Sequence, residues 1–286
     1  MLDRIQQLLK ERDIFLSAPL SLSDCTVTRA YLLEREGIPK SGSAVIFAIP
    51  YHSPECESYK RNISRYAVGQ DYHLFARQLS CELLPILQKE FPENRFALFA
   101  DHSPIDEREA AAKGGLGMIG KHGLLITEPY SSYVFLAELI TDYPLPSNLK
   151  KENTVRYCEG CGACLAVCPY AKGETDTCLS SLTQKKGDLT EEEKDTIQKY
   201  RTAWGCDLCQ EACPHTRSAL RKGSIDSPIT FFRKHLLPTP TYNGVMAMTD
   251  QQFSTRAYAW RGRSVILRNL AVVKEQDDKE HPQNQT

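Results

Sequence analysis

Residues 158–169 read Cys158-Glu-Gly-Cys-Gly-Ala-Cys-Leu-Ala-Val-Cys-Pro169, a C-x2-C-x2-C-x3-C-P run. This spacing decides the second half of the chain. Three thiolates separated by pairs of residues can wrap one face of an iron–sulfur cubane, while the fourth, on the turn before the proline, points to a different cluster. A second set follows: Cys178, then Cys206-Asp-Leu-Cys-Gln-Glu-Ala-Cys-Pro214, which closes on another Cys-Pro. Pseudo-symmetry assigns Cys158, Cys161, Cys164 and Cys213 to one [4Fe–4S] cluster. Cys168, Cys178, Cys206 and Cys209 take the other. Small residues beside the thiolates (Gly160, Gly162, Ala163) leave backbone amides free to hydrogen-bond the sulfurs. Zinc sites built from four cysteines also use paired C-x2-C, but they need neither the three-cysteine row nor C-x3-C-P.

Working outward, eight of the 11 cysteines in this 286-residue chain lie between 158 and 213. The length suggests two units on a prior of roughly 100–200 residues per domain. A hydrophobic fraction of 41% and a charged fraction of 25% are those of an ordinary globular protein. No run approaches the ~20 apolar residues that span a bilayer. The start, MLDRIQQLLKERD, is amphipathic and lacks the features of a secretory signal. A cytoplasmic location is expected. Thiols there stay reduced, so a dense cysteine cluster reads as metal binding rather than as disulfides.

Upstream of the cysteines, Leu2, Ile5, Leu8 and Leu9 recur at helical spacing. Ser43 to Tyr51 and Arg95 to Asp101 read as strands, Asp71 to Phe91 as a helix that Pro85 should kink or interrupt, and Asp106 to Lys113 as a second helix. The glycine-dense GGLGMIG at 114–120 reads as a tight turn, followed by strands at Gly123 to Ile126 and Tyr133 to Thr141. Pro144 to Arg156 is a plausible linker, and a mostly helical tail follows Cys213. The expected organisation is a catalytic domain at 1–150, a cluster domain at 151–220, a helical segment at 221–273 and a disordered end at 274–286.

An electron-transfer module alone needs about 55–60 residues, so its electrons should go to something held by the first domain. That domain has no G-x-G-x-x-G after a strand and no P-loop, which weakens nucleotide readings. Charge adds a second hint. Pro214 to Val273 holds nine basic and two acidic residues, a local +7 in a chain of net −1. Such an excess suits a polyanion such as RNA.

Several motifs together resemble the epoxyqueuosine reductase family: Phe99-Ala-Asp-His-Ser-Pro, Gly115-Leu-Gly-Met-Ile-Gly-Lys121, I-S-R-Y-A-x-G-x-D-Y-H at 63–73, F-L-A-E-L-I-T-D at 135–142, C-L-S-S-L-T-Q-K-K-G at 178–187 and R-x-x-x-x-R-G-R-x-x-x-L-R-N at 256–269. The resemblance covers residues 43 to 273. It implies an α+β chain: a nitroreductase-like cobalamin-binding domain, a two-cluster ferredoxin-like module and a short helical C-terminal segment. It also implies an oxidoreductase that reduces the epoxide of epoxyqueuosine in tRNA to queuosine, with electrons passing through two [4Fe–4S] clusters to cobalamin. Asp101 matches the family's general acid; a carboxyl at a strand end facing an apolar pocket would be held protonated by desolvation. Ser64, Tyr66, Leu125 and Asp207 match cobalamin-lining regions. Lys185, Lys186, Arg256, Arg261, Arg263 and Arg268 are the tRNA candidates; Tyr258 and Trp260 could stack on a splayed base, though aromatics at spacing two in a helical tail are more often packing. An external low-potential electron donor is required.

Two departures stand out. The stretch from Ser17 to Ser43 is abbreviated where typical members carry an insertion, and the C-terminal HEAT-like repeat of many members is missing. A corrinoid and iron–sulfur reductase of a small molecule, similar to reductive dehalogenases, is one alternative; there a tyrosine usually replaces the acid. A plain electron-transfer protein is the other.

Overall fold

The computed structural model describes residues 1–56, 60–147, 155–171 and 178–280. Its elements run α1 (Leu2–Lys10), β1 (Leu16–Ser21), α2 (Ala30–Glu36), β2 (Ser43–Pro50), α3 (Tyr72–Glu90), β3 (Phe96–Phe99), α4 (Glu107–Lys113), β4 (Gly117–Ile119), β5 (Leu125–Thr127) and β6 (Val134–Thr141). Helices follow: α5 (Ala163–Val167), α6 (Leu179–Thr183), α7 (Glu191–Tyr200), α8 (Leu208–Ala212), α9 (Pro214–Lys222), α10 (Tyr242–Ala247), α11 (Asp250–Ser254) and α12 (Arg263–Glu280). The class is α+β, as the sequence implies.

Two compact units divide the chain. One comprises Met1–His52, Tyr72–Gly162 and Cys213–Thr230; the other Ser53–Asp71, Ala163–Ala212 and Phe231–Thr286. The units interleave along the sequence instead of following one another with boundaries at 150 and 220. A short cysteine module is too small to close an apolar core from its own residues. The second unit therefore gathers its core from three distant stretches, with Ile63 and Val68, Leu179 and Trp204, and Tyr258 and Ile266 in one cluster.

The first unit is built on a four-stranded antiparallel sheet in the order β1-β2-β6-β3. β2 (SAVIFAIP) is buried at every position, as an inner strand covered on both faces must be. β1 lies at the edge, where its Pro19 costs no inner ladder bond. α3 runs as one helix through Pro85, so of the kink or interruption expected there the interruption does not occur. Phe75, Leu79, Leu83 and Leu87 form its buried stripe, while Pro85 is exposed, so the lost backbone bond faces solvent.

The glycine-dense stretch holds more than a turn. Gly117–Ile119 is β4, paired antiparallel with β5. A Cβ on Gly117 would stand 2.1 Å from the Ile126 carbonyl oxygen, so glycine permits this close pairing. At the C-terminus α12 extends to Glu280, so the disorder expected from 274 gives way to helix over 274–280; residues 281–286 lie outside those described. So does the central part of the expected linker, 148–154.

Candidate active site and cluster ligands

β3 ends at Phe99, and two residues later Asp101 takes a left-handed backbone conformation with φ +64°. Aspartate tolerates that region better than most residues, but not without cost. The turn is held by Glu107 at the start of α4, whose Oε1 accepts the Asp101 N–H at 3.1 Å. Asp106, not Asp101, caps that helix, accepting the N–H groups of Arg108 and Glu109 at 3.1 Å each. Behind Glu107 stands Glu138, fully buried in β6, opposite Ile46 on one neighbour and Phe99 on the other. Its Oε1 accepts from the Ser103 hydroxyl.

Burial pushes Glu107 up to about 7. It lifts Glu138 well above the carboxylate range, and the charge of Glu107 adds to that rise. Among the described residues no N–H or hydroxyl faces the buried Oε2 of Glu138. Burial thus favours the protonated form of both carboxyls, and a proton on Glu107 would satisfy that Glu138 oxygen. The desolvation expected of Asp101 thus falls on its neighbours. Asp101 itself is 72% exposed at the side chain, with His73 Nε2 at 3.9 Å.

Asp101 and Glu107 line one pocket of about 190 Å³ with Tyr72, Leu125, Phe135 and Leu136. Its walls are mainly apolar. Tyr72 stacks on Phe135 at 4.1 Å between ring centroids, with 10° between planes.

In the second unit Asp207 is a buried hub. It accepts from the Ser64 hydroxyl, from the Arg65 N–H at 2.8 Å and from the Arg61 guanidinium at 2.8 Å. Arg61 and Arg65 both continue to Glu211. Arg61, Ser64, Asp207 and Glu211 border a cavity of about 160 Å³ reaching Cys206. Tyr66 is turned away to Trp204, accepting the indole N–H at 2.8 Å, and burial raises its phenol pKa.

The expected ligands of the second cluster come together in that unit. The Cys209 thiol lies within electrostatic reach of Cys178 and Cys168, and Cys206 within reach of Cys209 and Cys178. Burial pushes the Cys206 and Cys209 thiols up to about 12. A metal cluster that binds thiolate must overcome this. Among the described residues no three ligating side chains converge on a single-ion site; a cubane is held by one thiolate on each of four irons and does not require it. In the first unit the Lys121 N–H donates to Cys158 Sγ at 3.1 Å, the kind of amide-to-sulfur bond a cluster ligand uses. Gly160 and Gly162 sit at φ +72° and +79°, so the peptide planes between the cysteines are turned as only glycine allows without strain.

Two family models match the chain. "Epoxyqueuosine reductase QueG, DUF1730" covers residues 34–102, and a 4Fe-4S double cluster binding domain covers 157–216. The epoxyqueuosine reductase of Gloeobacter violaceus is 31% identical over 241 residues, 81% of this chain and 73% of the relative. This chain belongs to the epoxyqueuosine reductase family. The Aliivibrio fischeri relative is 39% identical over 74% of this chain, but the chain spans only 57% of that protein's length. The fold agrees with solved epoxyqueuosine reductases: that of Streptococcus thermophilus superposes with TM-score 0.72 at 23% identity, over 99% of this chain and 86% of the other. A second, solved with an epoxyqueuosine-modified tRNA-Tyr stem loop, gives TM-score 0.68 at 22% identity over 95% and 81%.

In this family member, the basic tRNA candidates divide into two kinds. Arg256 donates to the His235 carbonyl at 2.7 Å, and Arg263 to the Val245 carbonyl at 2.5 Å and Asp250 at 3.1 Å. Arg268 holds the carbonyls of Lys185 and Gly187. These three brace the backbone. Lys185 pairs with Glu193 at 2.7 Å. Lys186 is exposed, and Arg261 lies over the ring of Trp260 at 4.0 Å. Tyr258 is fully buried, as packing requires, whereas Trp260 is 59% exposed, with Arg261 over its ring and Trp204 set edge-on at 6.5 Å.

Sequence reasoning missed Glu107, Glu138, Arg61 and Glu211. Glu138 left a signal, a carboxylate in the middle of the apolar strand FLAELIT. The Arg61–Glu211 pairing left none, since 150 residues separate the two.

Proposed function

We propose that this chain reduces epoxyqueuosine to queuosine in tRNA, with Asp101 as proton donor and with two [4Fe–4S] clusters and cobalamin as cofactors. The observation that carries the reading is the Asp101 turn. In a member of this family, a solvent-accessible carboxyl is hung by its backbone from half-buried Glu107, in front of fully buried Glu138, at the mouth of an apolar pocket. The relative solved with its modified stem loop supports tRNA as the substrate class.

The reaction takes two electrons and two protons: an epoxide carbon–oxygen pair becomes an alkene, and the oxygen leaves as water. Cobalamin, when bound, would supply the reducing centre at the epoxide carbon. The pocket suits it: Leu125, Phe135 and Leu136 offer an apolar wall to a flat macrocycle. Nearby, His122 Nε2 is buried without a hydrogen-bond partner, and burial lowers that imidazole's pKa so that it stays neutral. In the second unit, Ser64, Tyr66 and Asp207 keep the cobalamin-lining role that the family resemblance gives them, Ser64 and Asp207 being joined by a hydrogen bond. Asp101 protonates the departing oxygen and is oriented for that by Glu107. Lys186, Arg261 and Trp260 meet the RNA, while Arg256, Arg263 and Arg268 brace backbone carbonyls and Lys185 is held by Glu193. Such a substrate places the protein in the cytoplasm, supplied by an external low-potential donor.

Nucleoside mass spectrometry of digested tRNA tests this. Cells lacking the protein should accumulate epoxyqueuosine, wild-type chain should restore queuosine, and Asp101→Asn should not. Queuosine levels unchanged by the deletion would overturn the reading.

A further inference from the structure

One cavity takes no part in the chemistry above. It is a groove of about 600 Å³ in the first unit, with walls that include Phe15, Met118, Arg156, His215 and Lys222. Three basic side chains line it, with Glu128 the carboxylate among its lining residues. Arg156 and Lys222 are exposed, and neither forms an ion pair among the described residues.

Both walls lead to the ligands of the first cluster. On one side the backbone around Arg156 is clamped to β4: the Ile119 N–H donates to the Arg156 carbonyl at 2.8 Å, and the Cys158 N–H returns to the Ile119 carbonyl at 3.0 Å. Arg156 is thus fixed two residues from Cys158. On the other side α9 starts from Cys213 as its N-cap and presents His215, Ser218, Ala219 and Lys222 to the groove. Those positions recur at three and four residues, a single helix face. Two exposed aromatics flank this region, Phe15 at 52% and Tyr157, next to Cys158, at 69%. Cations beside exposed aromatic rings form a surface suited to protein contact.

We propose that this groove docks a small acidic one-electron carrier protein, of the iron–sulfur or flavin class, which reduces the first cluster, whose expected ligands are Cys158, Cys161, Cys164 and Cys213. The proposal rests on the functional reading above and names the missing donor by its surface. Charge complementarity selects an acidic partner and speeds its encounter. Each docking moves one electron from reduced carrier to oxidised cluster and leaves the carrier oxidised by one. Two dockings supply the two electrons per epoxide, and the protons come from Asp101 and solvent. A second RNA surface is the competing use, since cations also serve phosphates; the position of Arg156 and of α9 next to cluster ligands favours the carrier.

The test uses the reconstituted holoenzyme and an Arg156→Glu/Lys222→Glu double variant, with an acidic [2Fe–2S] ferredoxin as probe and dithionite as the small reductant. The ferredoxin dissociation constant, measured by calorimetry without turnover, should rise roughly tenfold or more, and the salt dependence of binding should flatten. Dithionite-driven turnover and KM for tRNA should stay as in wild type, and Arg156→Lys/Lys222→Arg should bind as wild type does. An unchanged ferredoxin dissociation constant overturns the proposal. A raised tRNA KM with dithionite overturns it in favour of RNA. Loss of epoxyqueuosine reduction by the wild type with dithionite sinks the functional reading instead, while the binding measurement still judges the groove.

Discussion

Glu107 holds Asp101 by the backbone: the Asp101 N–H donates to Glu107 Oε1 at 3.1 Å, across a turn in which Asp101 sits at φ +64°. A residue in the left-handed region stays there only where its surroundings over-determine it. Glu107 is therefore a positioning residue. Asp101→Asn should lower turnover by about 10²–10⁴-fold, the usual range for a lost general acid. Glu107→Ala should lower kcat by roughly tenfold with little change in KM, because substrate still binds while the acid is misplaced. Steady-state kinetics separates the two, and a Glu107→Ala variant with wild-type kcat would remove the positioning role.

The Glu107–Glu138 pair makes stability pH-dependent in a direction opposite to that of ion-paired carboxylates. Glu107 is raised from the usual 4.5 to about 7, so the folded state binds more protons than the unfolded chain between those values. Its contribution is fully present below about 4.5 and is lost as pH rises through about 7. Glu107→Gln offers an amide N–H to Glu138 at any pH and removes this titration. Between pH 5 and pH 8 the urea midpoint should fall more for wild type than for Glu107→Gln. An equal fall in both would mean that a proton on Glu107 does not satisfy Glu138.

The cysteine framework was legible because cluster chemistry needs fixed spacings, and β2, β6 and α4 because their apolar patterns are local. β1 escaped notice since Leu16-Ser-Ala-Pro-Leu-Ser carries a proline that only an edge strand tolerates. β4 was hidden by glycines that look like a turn until the close approach of Ile126 is seen. The arginines of the final motif read as RNA contacts because charge announces itself in sequence, whereas a carbonyl in need of a donor does not. Asn269 shows the same limit: its side-chain amide ties the Thr183 and Ala203 carbonyls at 2.7 and 2.8 Å.

That division predicts different phenotypes for neighbouring cations. Lys186→Ala should weaken tRNA binding and reduce the salt slope of log K by roughly one, with no change in melting. Arg268→Ala should leave the carbonyls of Lys185 and Gly187 without their donor and destabilise the protein by about 1–2 kcal/mol. Filter binding across salt concentrations, alongside thermal melts, distinguishes them. A Lys186→Ala variant with an unchanged salt slope would take Lys186 off the RNA.

Thiol reactivity gives a further check on the second cluster. With iron removed anaerobically, Cys206 and Cys209 should alkylate slowly at pH 8, because burial and neighbouring charges hold both near 12. The exposed Cys161 and Cys178 should be labelled first. Peptide mass spectrometry after a timed iodoacetamide pulse reads the order. Rapid labelling of Cys209 would show that its environment is not the one described.

Gly205 bears on the Asp207 hub through sterics alone. It sits at φ +69°, and a Cβ there would stand 2.6 Å from Ser64 Cβ. Gly205→Ala should cost about 1–2 kcal/mol for the left-handed backbone and push Ser64 off Asp207. Asp207→Ala should cost more, about 3–5 kcal/mol, because it strips a buried partner from Arg61 and Arg65. Comparing denaturant midpoints of the two variants ranks strain against lost charge pairing. Glu211 keeps its contacts to both arginines in each case. If Asp207→Ala proved the milder change, Glu211 alone would suffice to hold the two arginines.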